Sequence, residues 1–478
     1  MTVQQAQRRA KTIAIVGGGF AGSLFALKMS AARPDIRVLL IEREHRHGRG
    51  LAYGACEPYH LLNVPIPRME LGLAPGFADW LRERRPEVLA QALSDGDGDQ
   101  QASFVTRQAF GDYLEERIAA VLSTDQSAGL ALLRGQAVRA LEVPFRGVLL
   151  EDGREIKADI VVLAAGNLPP RPVPVKSAWF YDTHAYIADP WAKGALDGID
   201  ANAAVALIGT GQTMVDVALK LADDGHRGPI HAVSRHGLLP LVHQAGGAWE
   251  PFAKPDTPLA LMRTVRAASR AAMAQGVPWQ RVIDAVRPNI AQIWHAWTLA
   301  QRRQFLRHQR ARWDVHRSRM PPRIAAMLQA LIDSGQLTVT GGRIQGYAAA
   351  RSGVDIQLSG GRTLFASHVV NCTGPSGDLS RVAIPLIADL RRRGLLMPDP
   401  LGLGMETEDC AARDESGHAS TWLFALGPLT RPAWWEITAV PEIAVQVDRL
   451  VQELAAPQRS AGAPRELSDA FVDLGAGI

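Results

Sequence analysis

The sequence predicts the α/β fold class, with two similar units in one chain. A strand, a glycine turn and a helix follow one another twice, as "AIVGGGFAGSLFALKM" from Ala14 and "LIGTGQTMVDVALKL" from Leu207. Each segment is followed further along the chain by a tight hairpin, an apolar strand and a small-residue turn. Strands that alternate with helices form parallel sheets, so we expect two βαβ units within the 478 residues.

The first glycine turn has the pattern of a dinucleotide-binding segment. "KTIAIV" is typical of a buried parallel strand, and Gly17, Gly19 and Gly22 follow it as G-x-G-x-x-G. After a helical stretch, a second strand ends in Glu42, twenty residues beyond Gly22. Such glycines permit a tight turn, close approach to a pyrophosphate and close helix–strand packing, while the acid accepts hydrogen bonds from ribose hydroxyls. A glycine turn that only connects two elements is the alternative.

The second glycine turn differs from the first at the end of the following strand. The turn contains Gly209 and Gly211, and Ser234 lies 25 positions after Gly209, the spacing at which the first unit has Glu42. A glutamate repels a ribose 2′-phosphate, whereas Ser234 and the adjacent Arg235 can donate hydrogen bonds to one. We therefore expect NADPH at the second turn. The alternative is that Arg235 is a solvated arginine at a strand end.

The downstream segments also repeat. Gly153 and Gly166 of "DGREIKADIVVLAAG" stand 208 positions before Gly361 and Gly374 of "GGRTLFASHVVNCTG". The glycine turns are 192 positions apart, so the second copy is 16 residues longer over this part. Each copy is predicted to be a nucleotide-binding βαβ unit with an antiparallel flap.

Composition limits the classes of partner. A hydrophobic fraction of 47%, a charged fraction of 21% and a net charge of +4 are ordinary for a globular protein and do not favour nucleic-acid binding. The three cysteines form no C-x-x-C pair and the histidines have no ligand spacing, so we expect neither a dithiol centre nor a metal site. We expect no export signal, no membrane span and a reducing, cytoplasmic compartment.

At this point the chain resembles the two-dinucleotide-binding flavoprotein fold and, within it, the bacterial FAD–NAD(P)-binding protein family. The resemblance rests on "GGGFAG", "GRGLAYG", "HLLNVP", "FVTRQAFGDYL", "AAGNLPP", "GTGQTMVDV", "SRHGLLP" and "ALGPLTRPAWWEITAVPEI". The family is related to flavin-dependent N-hydroxylating monooxygenases. The resemblance implies two Rossmann-like dinucleotide-binding domains, one for FAD and one for NADPH, with the second inserted in the first.

The implied domain order divides the chain into four parts. Residues 1–175 and 371–456 are the two parts of the FAD domain, and residues 176–370 are the NAD(P)H domain, including a helical insertion over about 255–335. Residues 457–478 are rich in Ala, Gly and Pro and are predicted to be a flexible tail. The strand ends at Gly166 and Gly374 resemble the two crossings between the domains.

The resemblance also implies cofactor contacts. The first turn would hold the FAD pyrophosphate and Glu42 the adenosine ribose. Arg49 of "GRGLAYG" suits a pyrophosphate, and His60 and Asn63 of "HLLNVP" supply hydrogen-bonding groups along the cofactor, with loop capping as the alternative. Arg107 either orients this loop or is only a cation at a helix start.

The last strand and helix complete the implied flavin site. The strand "TWLFALG" ends at Gly427, where the fold often has a neighbouring Asp; here Pro428 follows instead. The helix with Pro441 in its first turn would point its N-terminus at the pyrimidine edge of the flavin, which stabilises negative charge on the reduced ring.

Two reactions fit this arrangement. In the first, NADPH reduces FAD and molecular oxygen forms a flavin C4a-hydroperoxide, which hydroxylates a small substrate bearing an amino or carboxylate group. In the second, a reductase or dehydrogenase passes hydride without oxygen insertion. We favour the monooxygenase because no cysteine pair exists and because Gln212 and Thr213 of "GQT" resemble the "GQS" of N-hydroxylating monooxygenases. Gln212 as a plain helix cap is the alternative; Asn63 and Gln212 are the candidate catalytic residues.

The helical insertion contains the most basic stretch, "RRQFLRHQRARWDVHRSRMPPR". A solvated helix face is the common explanation of such a run, nucleic-acid binding is another, and a third is that some arginines hold a carboxylate substrate. Trp294, Trp297 and Trp313 indicate that the insertion packs on a domain. We expect it to cover the nicotinamide site, with Arg312 and Arg317 as substrate contacts.

Overall fold

The computed structural model describes residues 11–123, 129–251 and 254–456. The strands are, in chain order, β1 Thr12–Val16, β2 Arg37–Glu42, β3 Leu130–Arg134, β4 Ala137–Leu141, β5 Gly147–Leu150, β6 Glu155–Lys157, β7 Ile160–Leu163, β8 Tyr186–Ile187, β9 Val205–Ile208, β10 Ile230–Ser234, β11 Leu337–Gly341, β12 Ile344–Ala350, β13 Gly353–Leu358, β14 Thr363–Ala366, β15 His368–Asn371, β16 Thr407–Glu408, β17 Ala411–Arg413 and β18 Ala419–Ala425.

The α-helices lie between these strands and after the last of them. They are α1 Phe20–Ala32, α2 Gly50–Gly54, α3 Phe77–Arg84, α4 Pro86–Asp95, α5 Arg107–Leu122, α6 Gln212–Asp223, α7 Pro258–Ala274, α8 Trp279–Val286, α9 Ile290–Ala296, α10 Leu299–His308, α11 Arg310–Arg317, α12 Pro322–Asp333, α13 Pro385–Arg392 and α14 Val440–Ala455.

One seven-stranded sheet joins the two ends of the described chain. Its strand order is β16-β17-β18-β7-β1-β2-β3, and β1 pairs in parallel with both β2 and β7. β18 pairs in parallel with β7, so a strand from the last part of the chain lies beside strands from the first part. Helices α1 and α14 pack against each other.

A second sheet repeats the plan of the first. Its order is β11-β10-β9-β15-β8, and each of its pairs is parallel. The run β15-β9-β10-β11 therefore matches the run β7-β1-β2-β3 of the first sheet. Two three-stranded antiparallel sheets, β4-β5-β6 and β12-β13-β14, complete the two copies. The predicted duplication and the α/β class are confirmed.

The central strands are buried because both faces of each parallel sheet are covered. Ile13 and Ile15 of β1, and Val205 and Leu207 of β9, have no exposed surface. Buried strands in α/β proteins have such continuous apolar runs rather than alternating ones. The glycine turns therefore follow strands that are held in place by packing on both faces.

The helical insertion comprises α7 to α12 and connects β10 to β11. Helix α12 packs on α6, whereas α7 to α11 form an apolar cluster of their own. Trp294, Trp297 and Trp313 are 1%, 3% and 2% exposed, and the cluster also includes Leu403 and Trp435. The prediction that this segment packs on the rest of the protein is confirmed.

The predicted domain boundaries stay predictions, although the sheets show which strands associate. The predicted flexible tail at 457–478 lies outside the described residues.

Candidate nucleotide-binding site

The first glycine turn lies at the carboxyl end of β1, next to β7. Gly17 has a φ of +109°, and a Cβ there would lie 2.2 Å from the carbonyl oxygen of Ala164. A Cβ on Gly22 would lie 2.0 Å from the carbonyl oxygen of Gly17, and one on Gly19 would meet the Cα of Gly50 at 3.4 Å. Side chains at Gly17 and Gly22 would destroy the turn, so these two glycines are required by the backbone itself.

Glu42 ends β2 beside this turn. Its carboxylate accepts hydrogen bonds from the backbone N–H of Gly18 at 2.7 Å and of Glu44 at 3.1 Å. Each carboxylate oxygen keeps a further lone pair, so the position is compatible with the predicted ribose contact. That contact stays a prediction.

Arg49 lies next to the turn but is bonded within the protein. Its side chain is 6% exposed and forms ion pairs with Asp112 and Glu115, the second at 2.9 Å. It also donates to the carbonyl oxygen of Tyr53 at 3.2 Å. A phosphate contact by Arg49 stays a prediction, and it would require the guanidinium to be shared with these partners.

His60 is buried and neutral, whereas Asn63 is exposed. Nδ1 of His60 accepts the backbone N–H of Glu57 at 3.1 Å, which leaves the proton on Nε2. Nε2 has no hydrogen-bond partner among the described residues. Burial lowers the pKa of His60, because the charged imidazolium is poorly solvated there. Nε2 is itself buried, so a contact between His60 and a cofactor stays a prediction.

Arg107 orients the loop that carries these two residues. Its backbone N–H donates to the carbonyl oxygen of His60 at 2.8 Å, and its Nε donates to that of Leu61 at 3.1 Å. Its terminal nitrogens donate to both carboxylate oxygens of Asp216, at 2.9 and 3.2 Å. Of the two predicted roles, loop orientation is therefore the one observed.

Asp216 was not identified from the sequence. It lies on α6, directly after the second glycine turn, and its side chain is 9% exposed. Arg107 begins α5 of the first unit, so this buried bidentate pair joins the two units beside the loop of His60. In the sequence, a single Asp on an amphipathic helix looks like a solvent-exposed charge. No motif around Asp216 indicates that it is buried and paired.

The second glycine turn is more open than the first. Gly209 has a φ of +112°, and its Cβ would lie 2.3 Å from the carbonyl oxygen of Cys372, whereas a Cβ on Gly211 would meet nothing within 4 Å. Gly211 is the N-cap of α6 and no side chain caps this helix. The free N–H groups of a helix N-terminus attract phosphate, and here the space in front of them is open.

Gln212 does not cap α6, so the capping alternative is wrong. Its Nε2 donates to the carbonyl oxygens of Ser318 at 2.9 Å and Arg319 at 3.2 Å. Gln212 thus ties the second turn to the loop between α11 and α12. Thr213 follows it, half-buried, in the first turn of α6.

At the end of β10, the hydroxyl of Ser234 is already in use. Thr210 donates to the carbonyl oxygen of Leu238 at 2.5 Å, so Ser234 donates to the Thr210 oxygen at 2.8 Å. Ser234 also accepts the backbone N–H of Gly237 at 3.0 Å. Arg235 is exposed and forms no ion pair within the described part of the chain. In this arrangement the side-chain donor available to a 2′-phosphate is Arg235.

The remaining predicted glycines lie at strand ends. Gly166, Gly374 and Gly427 follow β7, β15 and β18 and have φ values of +68°, +81° and +73°. The N–H of Gly427 donates to Oε1 of Gln446 on α14 at 2.8 Å, which fixes the end of β18 against that helix. L-residues with side chains rarely adopt such φ values, so glycine is required by these turns.

The cysteines are unpaired and two are inaccessible. Cys56, Cys372 and Cys410 are free thiols, and Cys372 and Cys410 are buried. Burial raises the pKa of both buried thiols, which makes them poor nucleophiles. No group of three metal-ligating side chains occurs in the described ranges. Within the same ranges, the helices are too short or too polar to cross a membrane.

Comparisons with known proteins agree with this arrangement. Residues 14–168 match the family model described as FAD-NAD(P)-binding. L-lysine 6-monooxygenase from Pseudomonas syringae is 17% identical, with a TM-score of 0.62 over 94% of this chain and 100% of that chain. Ornithine N-hydroxylase from Kutzneria sp. 744 is 14% identical, with a TM-score of 0.61 over the same shares.

A reductase shares the fold as well. Bacillithiol disulfide reductase from Bacillus cereus is 14% identical, with a TM-score of 0.53 over 93% of this chain and 99% of that chain. No curated protein matches the sequence. The fold is therefore the two-dinucleotide-binding flavoprotein fold, and residues 14–168 are similar to the FAD-NAD(P)-binding family.

Proposed function

We propose that this FAD/NAD(P)-binding flavoprotein oxidoreductase is an NADPH-using monooxygenase that hydroxylates a small substrate bearing an amino or carboxylate group. The observation that carries the two-cofactor part is the pair of glycine turns, each supported by a parallel sheet and each followed by a helix N-terminus. We assign FAD to the turn of β1 and α1, and NADPH to the turn of β9 and α6. The FAD domain would then be residues 1–175 and 371–456, and the NAD(P)H domain residues 176–370.

The glycine positions support both assignments. The backbone of the first turn tolerates no side chain at Gly17 or Gly22, as a pyrophosphate cradle requires, and its acid Glu42 suits an adenosine ribose. The second turn is open at Gly211 and is followed by the exposed Arg235. An exposed guanidinium suits a cofactor that binds and leaves in each cycle, and it favours the 2′-phosphate of NADPH.

The cysteines favour oxygen chemistry over a dithiol relay. A disulfide reductase that works through a dithiol relay needs a pair of cysteines, and the chain has Cys56, Cys372 and Cys410, with no C-x-x-C pair. Bound FAD would accept hydride from NADPH and activate molecular oxygen. The alternative is a reductase that passes hydride to another acceptor.

Residue roles follow from accessibility. Asn63 is exposed on the loop that Arg107 orients, so it is the stronger candidate for contact with the reacting groups. Gln212 would act by holding the second turn against the helical insertion. Arg312 is exposed and remains a candidate substrate contact, whereas Arg317 is bonded to Glu436.

The reaction is tested by following the fate of oxygen. The FAD-loaded protein is supplied with NADPH and candidate amines, amino acids and carboxylates, and NADPH consumption, hydrogen peroxide and hydroxylated product are measured together. A monooxygenase substrate raises the product yield per NADPH while the peroxide yield falls. With every compound, the hydrogen peroxide formed could equal the NADPH consumed, or an added acceptor could be reduced faster than oxygen. Either result supports the reductase alternative.

A further inference from the structure

One residue near the start of α14 has a strained backbone and a buried charge. Glu436 has a φ of +73°, and within the described ranges only two other non-glycine residues have a positive φ, Asp97 and Asp409. Its side chain is 4% exposed. Such a conformation is strained in a residue with a side chain and persists only where the surroundings impose it. Strained residues of this kind cluster at functional sites.

The surroundings that impose it come from α11 of the helical insertion. Trp313 donates its indole N–H to Oε1 of Glu436, and Arg317 donates from Nε to Oε2 at 2.9 Å. Arg317 also donates to the carbonyl oxygen of Glu436 at 3.2 Å and to the hydroxyl of Thr438 at 3.3 Å. Both carboxylate oxygens and the main chain of Glu436 are thus held by two residues of one helix.

The held segment leads directly into α14. The carbonyl oxygen of Glu436 also accepts the N–H of Thr438 at 2.6 Å, and the helix begins two residues later at Val440. No side chain caps this N-terminus. The turn around Glu436 therefore determines where the open N–H groups and the positive end of the helix dipole lie.

Further contacts fix the same segment from the insertion. The ring of Trp435 stacks on that of Trp294, with centroids 4.3 Å apart and planes 16° apart. Trp294 donates its N–H to the carbonyl oxygen of Pro432 at 2.9 Å, and Arg287 pairs with Glu442 in the first turn of α14. The insertion is therefore bonded to the C-terminal part of the chain, not only to the unit in which it is inserted.

The ion pairs also protect the positive character of this helix end. The negative charges of Glu436 and Glu442 would cancel part of the positive potential at this helix end if no cation compensated them. Burial opposes the ionisation of Glu442, but Arg287 and Arg317 lower the pKa of Glu442 to about 2. Glu442 is thus ionised, and each of the two acids is paired with an arginine of the insertion.

We propose that Glu436 is a positioning residue: clamped by Trp313 and Arg317, it fixes the first turn of α14 and so strengthens the binding of reduced FAD relative to oxidised FAD. This inference rests on the proposed function and on the flavin position that the resemblance implies, in which the N-terminus of α14 faces the pyrimidine edge of the flavin. It gives the helical insertion a role in setting the flavin potential.

The test is the midpoint potential of bound FAD in Glu436→Gly, measured by anaerobic dye-coupled reduction. Glycine accepts the positive φ but removes the clamp. We expect reduced FAD to lose about tenfold more affinity than oxidised FAD, which corresponds to a potential lower by about 30 mV for a two-electron couple. Asp409→Gly is the matched control, because it also removes an acidic side chain at positive φ (+51°) together with its ion pair, here to Arg449 of α14 at 2.6 Å.

A second variant covers the case in which Glu436→Gly does not fold. Trp313→Phe keeps an aromatic ring at this position but removes the N–H donor to Glu436, and it should also lower the potential, by a smaller amount. An unchanged potential in the variants that bind FAD, or an equal shift in Asp409→Gly, contradicts the inference. Failure of the wild-type protein to bind FAD would instead contradict the proposed function on which it rests.

Discussion

At the scale of single residues, the ends of β2 and β10 differ in the side chain that would distinguish the two proposed nucleotide sites. Glu42 is held against the first glycine turn, where its charge disfavours a 2′-phosphate. Ser234, at the corresponding position, shares its hydroxyl between Thr210 and Gly237. The cation that follows it, Arg235, is left exposed and available.

Arg235→Ala should therefore change the choice of nucleotide. A charge-assisted hydrogen bond contributes about 1.5–3 kcal/mol, so kcat/KM for NADPH should fall roughly tenfold or more while that for NADH stays within about twofold. Arg43→Ala is the matched control, because Arg43 is the exposed arginine that follows Glu42 in the first unit. Equal loss with both nucleotides, or equal use of both by the wild type, would refute the 2′-phosphate assignment.

His243 should make stability depend on pH. Burial is the main cause that lowers its pKa to about 4, from an ordinary value of about 6.5 in the unfolded chain. Between these values the unfolded chain binds the extra proton, so the free energy of unfolding falls as the pH falls. From about pH 7 to about pH 5 the loss from this residue is about 2 kcal/mol.

Denaturant unfolding of His243→Gln measures this contribution. Glutamine keeps an N–H donor for the carbonyl oxygen of Gln101, which His243 contacts at 3.1 Å, but it does not titrate. The variant should show a shallower loss of stability below about pH 6.5 than the wild type. The exposed His418, replaced in the same way, controls for the removal of a histidine. The His418 variant should keep the wild-type dependence of the free energy of unfolding on pH. The account is contradicted if the His243 variant keeps it as well.

At the scale of elements, the sequence predicts strands and turns better than the contacts between helices. The glycine turns, the hairpins and the burial of Trp313 follow from local spacing and hydrophobicity, which a single segment contains. The partners of Arg107, Gln212 and Glu436 lie 109, 106 and 119 residues away in the chain. Pairings of this kind depend on tertiary packing, and no local pattern specifies them.

The pair between α5 and α6 gives a prediction about element contacts. Arg107→Met leaves Asp216 buried and unpaired, which should lower the free energy of unfolding by about 3–5 kcal/mol. The double variant Arg107→Met/Asp216→Leu should recover most of this loss, because no uncompensated charge remains.

A surface ion pair provides the control for this cycle. Arg323 on α12 pairs with Asp95 on α4 at 3.1 Å, also between the two units, but its side chain is 49% exposed. Arg323→Met should lower the free energy of unfolding by less than about 1 kcal/mol. If Arg107→Met is no more damaging than Arg323→Met, the buried pair does not couple the units.

At the scale of the whole molecule, the chain is a duplicated nucleotide-binding unit whose copies have diverged. The two sheets share the order of four strands, yet the helical insertion belongs to the second copy alone and bonds to the segment before α14. The sequence predicts the duplication and the two-cofactor plan, because the glycine turns and the later glycines repeat with nearly the same spacing in both copies. The attachment of the insertion follows only from the structure.

The central claim is that one glycine turn retains FAD and the other admits NADPH to reduce it. The most direct measurement is anaerobic mixing of the purified, FAD-loaded protein with increasing NADPH or NADH while the flavin absorbance is followed. The account predicts complete bleaching of the flavin, with saturation at a lower concentration of NADPH than of NADH. Protein that retains no FAD, or a flavin that neither nucleotide reduces, would contradict it.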